Sequence, residues 1–323
     1  MKTATKVVGY FVGVAAVFGA AVGVGAAAGP LDDDVSASID SMADHGTGDD
    51  SDAGHQSMSG DSGTPGEIQP GGLMVSQNGY TLAVSQSRLP AKPDVALRFR
   101  ILGPDGEPVT EYAKEHGKDL HLIVVRRDMV GYQHVHPTLD RDGQWSVDVD
   151  LSAAGEYRAF ADFAPAGGEG LTLGADVSAS GAYEPRALPE PARSVQVGDY
   201  TVEVDGELVP GETSPLTLTV SKNGKQVRDL QPYLEAYGHL VALRDGDLAY
   251  LHVHPDGSPG DGSTEPGPRI RFFAEVPSTG RYRLFLDFKH DGEVRTAEFT
   301  MIAGPQDGAG TTDQGEPAHG HDG

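Results

Sequence analysis

The chain has 323 residues, a length that suits about two domains with additional segments. Its formal net charge of −24 argues against a nucleic-acid partner, because phosphates require a basic surface. With no cysteine there is no disulfide, iron–sulfur cluster, cysteine nucleophile or cysteine-ligated copper centre. Any bound metal must therefore be held by histidine, methionine, carboxylate or backbone groups.

The N-terminal segment, residues 1–29, is predicted to be a transmembrane anchor or a signal. Val7–Ala28 is an uncharged, largely apolar run of 22 residues, preceded by Lys2 and Lys6 and followed by aspartates. Such a run can span a bilayer with the lysines on the cytoplasmic side, which places the following domains outside the membrane. Small residues at its end also offer a cleavage signal, so secretion is the alternative. We favour an uncleaved single-pass anchor because the run is longer than a usual signal core.

Two polar segments flank the repeats, and both are predicted to be disordered. Residues 30–66 hold nine aspartates and no lysine or arginine, so they cannot bury enough apolar surface to fold. Residues 304–323 form a similar Gly- and Asp-rich tail. The histidines and methionines of these segments are Met42, His45, His55, Met58, His319 and His321. They could capture soft or borderline cations, or the segments could be plain solvated spacers.

The region between linker and tail is one domain present twice, in residues 67–185 and 186–303. HLIVVRRDMVGYQHVHP at 121–137 matches HLVALRDGDLAYLHVHP at 239–255 with an offset of 118 residues. Further on, the offset between matching strands is 125, so the second copy has seven extra residues in the loop 255–268. That loop is either a lid or a tolerated insertion.

Each repeat shows short strand patterns separated by turn signals, which is typical of an antiparallel β-sandwich. The strands predicted for the first repeat are Tyr80–Gln86, Val95–Leu102, Leu120–Arg126, Gly131–His136, Trp145–Leu151, Glu156–Ala164 and Leu171–Ser180. In the second repeat, Tyr282, Leu284, Leu286 and Phe288 alternate toward a core. We therefore predict an all-β protein with two tandem Ig-like β-sandwiches after the transmembrane helix and disordered linker.

Three histidines recur at matching positions in the two repeats and are predicted to lie on β-hairpins. A turn at Asp245-Gly246 would place His239 opposite His252, and a turn at Gly246-Asp247 would place it opposite His254. Either register leaves all three on one face of the hairpin, close enough to share an ion. The predicted metal ligands are His121, His134, His136, His239, His252 and His254.

The same face also carries apolar residues such as Val241 and Leu243, so the histidines could instead be packed at the rim of a core. Two other recurring residues, Asp162 and Asp287, could orient a ligating imidazole. Their strand parity places them away from the core, beside Arg158 and Arg283, and favours surface ion pairs instead.

His116 and His290 have no counterpart in the other repeat and are excluded from the predicted sites.

The second repeat resembles a family of bacterial envelope proteins in three stretches: YGHLVALR at 237–244, LHVHP at 251–255 and GRYRLFLDF at 280–288. Members of that family are membrane-anchored or secreted and are often described as heavy-metal-binding or copper-associated. The resemblance implies extracytoplasmic metal handling and allows for another envelope metal-handling protein as a partner. The first repeat departs from it at Lys118-Asp119-Leu120, where the second has Ala236-Tyr237-Gly238.

The sequence therefore favours a non-catalytic metal-binding protein with one histidine triad per repeat. Imidazole suits both copper and zinc, and Cu(II) binds more tightly at a given site. The methionines of the linker make copper the preferred ion and zinc the alternative. The alternative function is a structural or partner-binding envelope module whose histidines are only packed. A zinc enzyme ranks third, because no recurring carboxylate is placed as a general base.

Overall fold

The computed structural model describes residues 70–251 and 253–304, which form 21 β-strands and no helix. No helix capable of crossing a membrane is found among these residues. The predicted anchor and linker lie outside the described residues, as do His252 and the predicted C-terminal tail after Gly304. The strands are β1 (Ser76–Gln77), β2 (Tyr80–Val84), β3 (Arg88–Leu89), β4 (Val95–Leu102), β5 (Tyr112–Ala113), β6 (His121–Arg126), β7 (Gln133–Val135), β8 (Thr138–Leu139), β9 (Gln144–Val149), β10 (Gly155–Pro165), β11 (Leu171–Ala179), β12 (Ser194–Val197), β13 (Tyr200–Asp205), β14 (Thr213–Lys222), β15 (Lys225–Gln226), β16 (Gly238–Arg244), β17 (Tyr250–Leu251), β18 (Val253–Pro255), β19 (Arg269–Glu275), β20 (Gly280–His290) and β21 (Glu293–Ala303).

Strands β1–β11 form the first sandwich. One sheet has the order β1-β2-β4-β9-β8, and the other has the order β3-β11-β10-β6-β7 with β5 added to β10. Alternate residues of β10 point inward, so that Tyr157, Ala159, Ala161 and Phe163 join Trp145 in the core between the sheets. All seven predicted strands of this repeat are present, with ends that differ by no more than two residues.

Strands β12–β21 form the second sandwich in the same way. One sheet has the order β12-β13-β14-β19-β18 with β15 added to β14, and the other has the order β17-β16-β20-β21. The predicted alternation of β20 is confirmed, because Tyr282, Leu284, Leu286 and Phe288 all belong to the core of this sandwich. The predicted all-β architecture of two tandem Ig-like sandwiches is thus confirmed for the described residues.

The two sandwiches lie within one compact unit and are packed against each other. Strand β6 is buried at every position, because Leu122 and Val124 face the first core while Ile123 and Val125 face the second sandwich. We call the apolar group between the sandwiches the interface cluster. Its buried members are Ile123, Val125, Met129, Phe160, Val241, Leu243, Leu248, Tyr250 and Phe285. Each large side chain buried in this way contributes about 1.5–3 kcal/mol relative to exposure.

The contacts of the interface cluster are approximately two-fold symmetric. The Tyr132 ring stacks on Phe285 with centroids 4.0 Å apart, and the equivalent Tyr250 ring lies against Phe160 at 5.6 Å. The tyrosine of each repeat thus contacts the equivalent phenylalanine of the other repeat. The two sandwiches therefore dock through the same face of the same sheet. That face carries the first repeat's histidines and His239.

The segment just before β1, which contains Gly71 and Gly72 and which we call the lead-in, is also part of this interface. Tyr250 donates its backbone N–H to Gly71 at 3.0 Å, and the Arg158 guanidinium donates two hydrogen bonds to the Gly72 carbonyl. Gly72 has a φ of +72°, and a Cβ there would overlap the Phe160 ring. Glycine is therefore required where the lead-in passes between the sandwiches.

Candidate metal centre

Three histidines of the first repeat meet on the outward face of β6 and β7. In this hairpin Leu122 pairs with Val135 and Ile123 pairs with His134, a register that brings His121 opposite His136. His134 lies diagonally across from His121 on the same face, as its parity predicts. The three ring centroids lie 5.0–5.3 Å from one another. The predicted grouping of the first triad is therefore what the structure shows.

The nitrogen atoms of these rings converge on a common point. His121 Nδ1 lies 3.1 Å from His134 Nε2 and 3.2 Å from His136 Nε2. In a tetrahedral site with metal–nitrogen distances of about 2.0–2.1 Å, the ligand nitrogens lie about 3.3–3.4 Å apart. The spacing of the triad thus fits an ion at its centre with only small adjustment.

The outer nitrogens of two of these rings determine where the ring protons are. His121 Nε2 lies 3.0 Å from the Glu115 carbonyl, and His134 Nδ1 lies 2.9 Å from Asp287 Oδ2. Both partners only accept hydrogen bonds, so each outer nitrogen carries the hydrogen of its neutral ring. The inner nitrogens, His121 Nδ1 and His134 Nε2, then face each other as lone pairs that cannot bond to one another. A cation between them would satisfy both.

The second sandwich contributes two residues to the same place. His239 on β16 is the cross-strand neighbour of Asp287 on β20, and its ring centroid lies 4.6 Å from that of His134. It also stacks on His121 at 5.7 Å, with the planes 9° apart. One ligand atom each from His134, His239 and Asp287 lies within 4.8 Å of the others. The His239 Nδ1 atom is buried without a hydrogen-bond partner, which is rare for a buried polar atom.

Asp287 is buried at the interface, at 2 % exposure, and the expectation of a surface ion pair is wrong for this residue. It accepts one hydrogen bond from His134 of the other sandwich and a second from Thr296 Oγ1 at 2.6 Å. A carboxylate that holds the outer nitrogen of a ligating imidazole fixes its orientation and raises its basicity. Sequence parity correctly put Asp287 outside its own core, but did not show that the other sandwich covers it.

Its counterpart Asp162 accepts a hydrogen bond from Thr172 Oγ1 at 2.9 Å. The two arginines expected to pair with these aspartates have other partners: Arg158 pairs with Asp176, and Arg283 pairs with Glu298.

Burial favours the neutral form of three of the clustered imidazoles, His121, His136 and His239. It lowers the pKa of His121 to about 4 and that of His136 to about 3, with the neighbouring His134 adding to both shifts. Burial also lowers the pKa of His239 well below its ordinary value. A neutral imidazole is the form that binds metals, so these rings are ready to ligate at neutral pH.

Two of the three histidines predicted for a second triad, His239 and His254, lie in the part of the chain that the structure describes. In the second hairpin Leu243 pairs with Tyr250, which is the register of a turn at Gly246-Asp247. The strand then leaves this sheet, so that His254 on β18 pairs with Phe273 in the opposite sheet. His239 lies with the first repeat's triad instead. The expected second triad includes His252, which lies outside the described residues, so that grouping stays a prediction.

The two histidines excluded on sequence grounds have different surroundings. His290 contacts the Tyr200 hydroxyl at 2.8 Å through Nδ1 and Asp229 at 3.1 Å through Nε2, which is consistent with a structural role. His116 lies beside the cluster, with its ring centroid 5.7 Å from His239 and 6.1 Å from His121. Because it has no counterpart, comparison of the repeats could not identify it.

A cleft of about 1150 Å³ between the sandwiches reaches the histidine cluster. It is lined by residues of both sandwiches, among them His116, His121, His239, His254, Glu115 and Glu235. The cluster is therefore buried on the side of the interface cluster and open toward the cleft.

The fold and the cluster define a tandem β-sandwich protein with a group of histidines between its two domains. The chain belongs to the family described as Domain of unknown function (DUF8832), whose model matches residues 75–181 and again 195–304. No curated protein matches the chain.

Several solved structures share a weak similarity with the chain. InvD of Yersinia pseudotuberculosis is 14% identical, over 75% of this chain and 62% of that one, with a TM-score of 0.24. The adhesin InvE of the same organism is 12% identical, over 70% and 59%, with a TM-score of 0.20. Invasin, a bacterial integrin-binding protein, is 12% identical, over 71% and 41%, with a TM-score of 0.20. The chain thus spans less than two thirds of these proteins, and the TM-scores are too low to support an inference about function.

Proposed function

We propose that this protein binds one copper or zinc ion between its two sandwiches. The ligands are His121, His134 and His136, with Asp287 holding His134 in place. The observation that carries this proposal is the 3.1 Å contact between His121 Nδ1 and His134 Nε2. In the neutral rings that a metal requires, the hydrogens lie on the outer nitrogens, so these two atoms face each other as lone pairs. Copper is favoured over zinc because Cu(II) binds a given imidazole site more tightly.

The role is binding rather than catalysis. The carboxylate that contacts the cluster, Asp287, is engaged by both His134 and Thr296, so it is not free to act as a general base. The charge asymmetry around Val7–Ala28 supports an extracytoplasmic location with attachment to the membrane. The sequence resemblance to copper-associated envelope proteins supports the same setting, in which another metal-handling protein could exchange the ion.

Metal content of the purified full-length chain tests the proposal. We expect the wild type to retain one tightly held Cu(II) more than His134→Ala after equilibrium dialysis. Wild type and variant have the same linker and tail, so any metal held there cancels when their metal contents are subtracted. His254→Ala is the matched control, because His254 was a predicted ligand but lies in the opposite sheet; it should keep the ion. Equal metal content in wild type and His134→Ala would show that the histidines are only packed.

Asp287→Asn provides a milder test, since it keeps the shape of the side chain. The amide oxygen still accepts a hydrogen bond from His134 Nδ1, but without the carboxylate's charge it holds the ring less firmly and makes it less basic. We expect Cu(II) affinity to fall by about 10–100-fold while the near-UV circular dichroism is retained. Unchanged affinity in a folded variant would remove Asp287 from the site.

A further inference from the structure

The cleft beside the triad also holds a pair of histidines, one from each sandwich. The rings of His116 and His239 have centroids 5.7 Å apart and planes 81° apart. Two imidazoles that share an ion at about 2.0–2.1 Å have ring centroids about 5–6 Å apart, so this pair has the spacing of two ligands. Both residues line the cleft, and the Nδ1 atom of His239 is buried without a partner.

A tight turn holds His116 in this position. Glu115 and Lys118 exchange backbone hydrogen bonds of 2.9 and 3.0 Å, and His116 and Gly117 between them have φ values of +48° and +75°. Positive φ at both central residues is the mark of a type I′ turn, a rigid two-residue connection. The position of His116 is therefore set by the backbone.

The second sandwich has the equivalent turn on the other side of the cleft. Leu234 and Glu235 occupy its central positions with φ values of +54° and +61°. A Cβ placed on Gly117 would lie 3.6 Å from Glu235 Oε1, so the two turns face each other. Leu234 takes the place of His116 in this turn, and the pair of turns supplies one imidazole and carboxylates to the same cleft.

We propose that His116 and His239 form an outer metal site, which takes a borderline cation such as Cu(II) or Zn(II) next to the buried triad. The proposal rests on the proposed function, because this site lies where an ion passes from the solvent to the triad. Two imidazoles bind more weakly than three, and the remaining positions on the ion are open to water or to an incoming ligand. The acidic residues of the cleft, Glu115 and Glu235, raise the local cation concentration.

The test compares full-length wild type with His116→Leu. Leucine is the residue that the second repeat carries at this turn, at nearly the same φ, so the turn tolerates it. We expect equilibrium dialysis against Cu(II) to show one weakly held ion fewer in His116→Leu, with the tightly held ion unchanged. Electron paramagnetic resonance of the saturated wild type should show dipolar broadening from two neighbouring Cu(II) ions, and the variant should not.

The outcomes separate the outer site from the triad. Identical stoichiometry and spectra for wild type and His116→Leu overturn the outer site. If His134→Ala nevertheless loses the tightly held ion, the proposed function stands without it. If no variant differs from wild type, both proposals fail. If His116→Leu does not fold, His116→Asn takes its place, because asparagine adopts positive φ readily. The same loss of one weakly held ion is expected for it.

Discussion

The substitution Phe285→Ala tests whether the histidine cluster depends on docking of the two sandwiches. Phe285 is fully buried in the interface cluster, and its ring stacks on Tyr132 of the other sandwich at 4.0 Å. It lies on β20 two residues before Asp287, on the same face. Removing the ring therefore weakens the contact between the sandwiches that lies closest in sequence to Asp287, and so to its hydrogen bond with His134.

The expected cost follows from burial. Truncation of a buried phenylalanine to alanine costs about 3–5 kcal/mol, and an aromatic pair adds about 0.5–1.5 kcal/mol beyond its buried area. Most of this loss falls on the interface between the sandwiches, since the ring is outside the core of the second sandwich. We expect the two sandwiches to unfold in separate transitions, and Cu(II) affinity to fall at least about tenfold as His134 loses Asp287.

Phe299→Ala is the matched control. Phe299 is equally buried, but it lies in the core of the second sandwich and makes no part of the interface cluster. Its loss should lower stability by a similar amount while the folded protein keeps its Cu(II) affinity. Calorimetry of the metal-free proteins and Cu(II) titration well below the unfolding temperature measure both quantities. The reasoning is refuted if Phe285→Ala unfolds in one transition with unchanged affinity, or if Phe299→Ala loses affinity equally.

Three further results are expected. The metal-free protein should lose stability as pH falls from 7 to 5, because unfolded His121 takes up a proton near pH 6.5 whereas folded His121 does so only near pH 4. Below pH 6 the free energy of unfolding should change by about 1.4 kcal/mol per pH unit for this histidine. A free energy of unfolding in urea that does not change with pH over this range would contradict the prediction. Gly72→Ala should cost more than about 1 kcal/mol, because its φ is positive and a Cβ would meet Phe160, and a thermal melt like that of wild type would exclude this packing. Intact protein should stay in the membrane fraction after an alkaline wash, held by Val7–Ala28, whereas a soluble external product beginning at Gly29 would show cleavage.

Local sequence patterns were enough to predict the strands and the face on which the histidines lie. Side chains alternate with a period of two, so His121, His134 and His136 share a face in either of the two hairpin registers that the turn allows. The repeat offset predicted two sandwiches of like topology. Both predictions depend on residues close in sequence, for which turn chemistry and alternation are sufficient guides.

Docking of the two sandwiches was not predicted, and it determines the composition of the cluster. The expectation of two separate triads assumed that each hairpin faced only its own sandwich. One signal was available: the stretch HLIVVR at 121–126 is apolar at every interior position, a pattern that indicates a strand covered on both faces. Even so, which surface covers the second face is a non-local property. His116 shows the same limit, since it has no counterpart and joins the cluster only through the three-dimensional contact with His239.

The interface explains how the histidines can be both neutral and accessible. In the core of a single sandwich, imidazoles would be neutral but their nitrogens would compete with apolar packing and have no route for an ion. On an open sheet face the imidazoles would be accessible but solvated, and nothing would hold their inner nitrogens facing one another. Between the sandwiches, the interface cluster supplies the burial that lowers the pKa of His121 and His136, and Asp287 and the Glu115 carbonyl fix two ring orientations. The cleft leaves one side of the cluster open, and under the proposed function it is the route by which an ion reaches the oriented nitrogens.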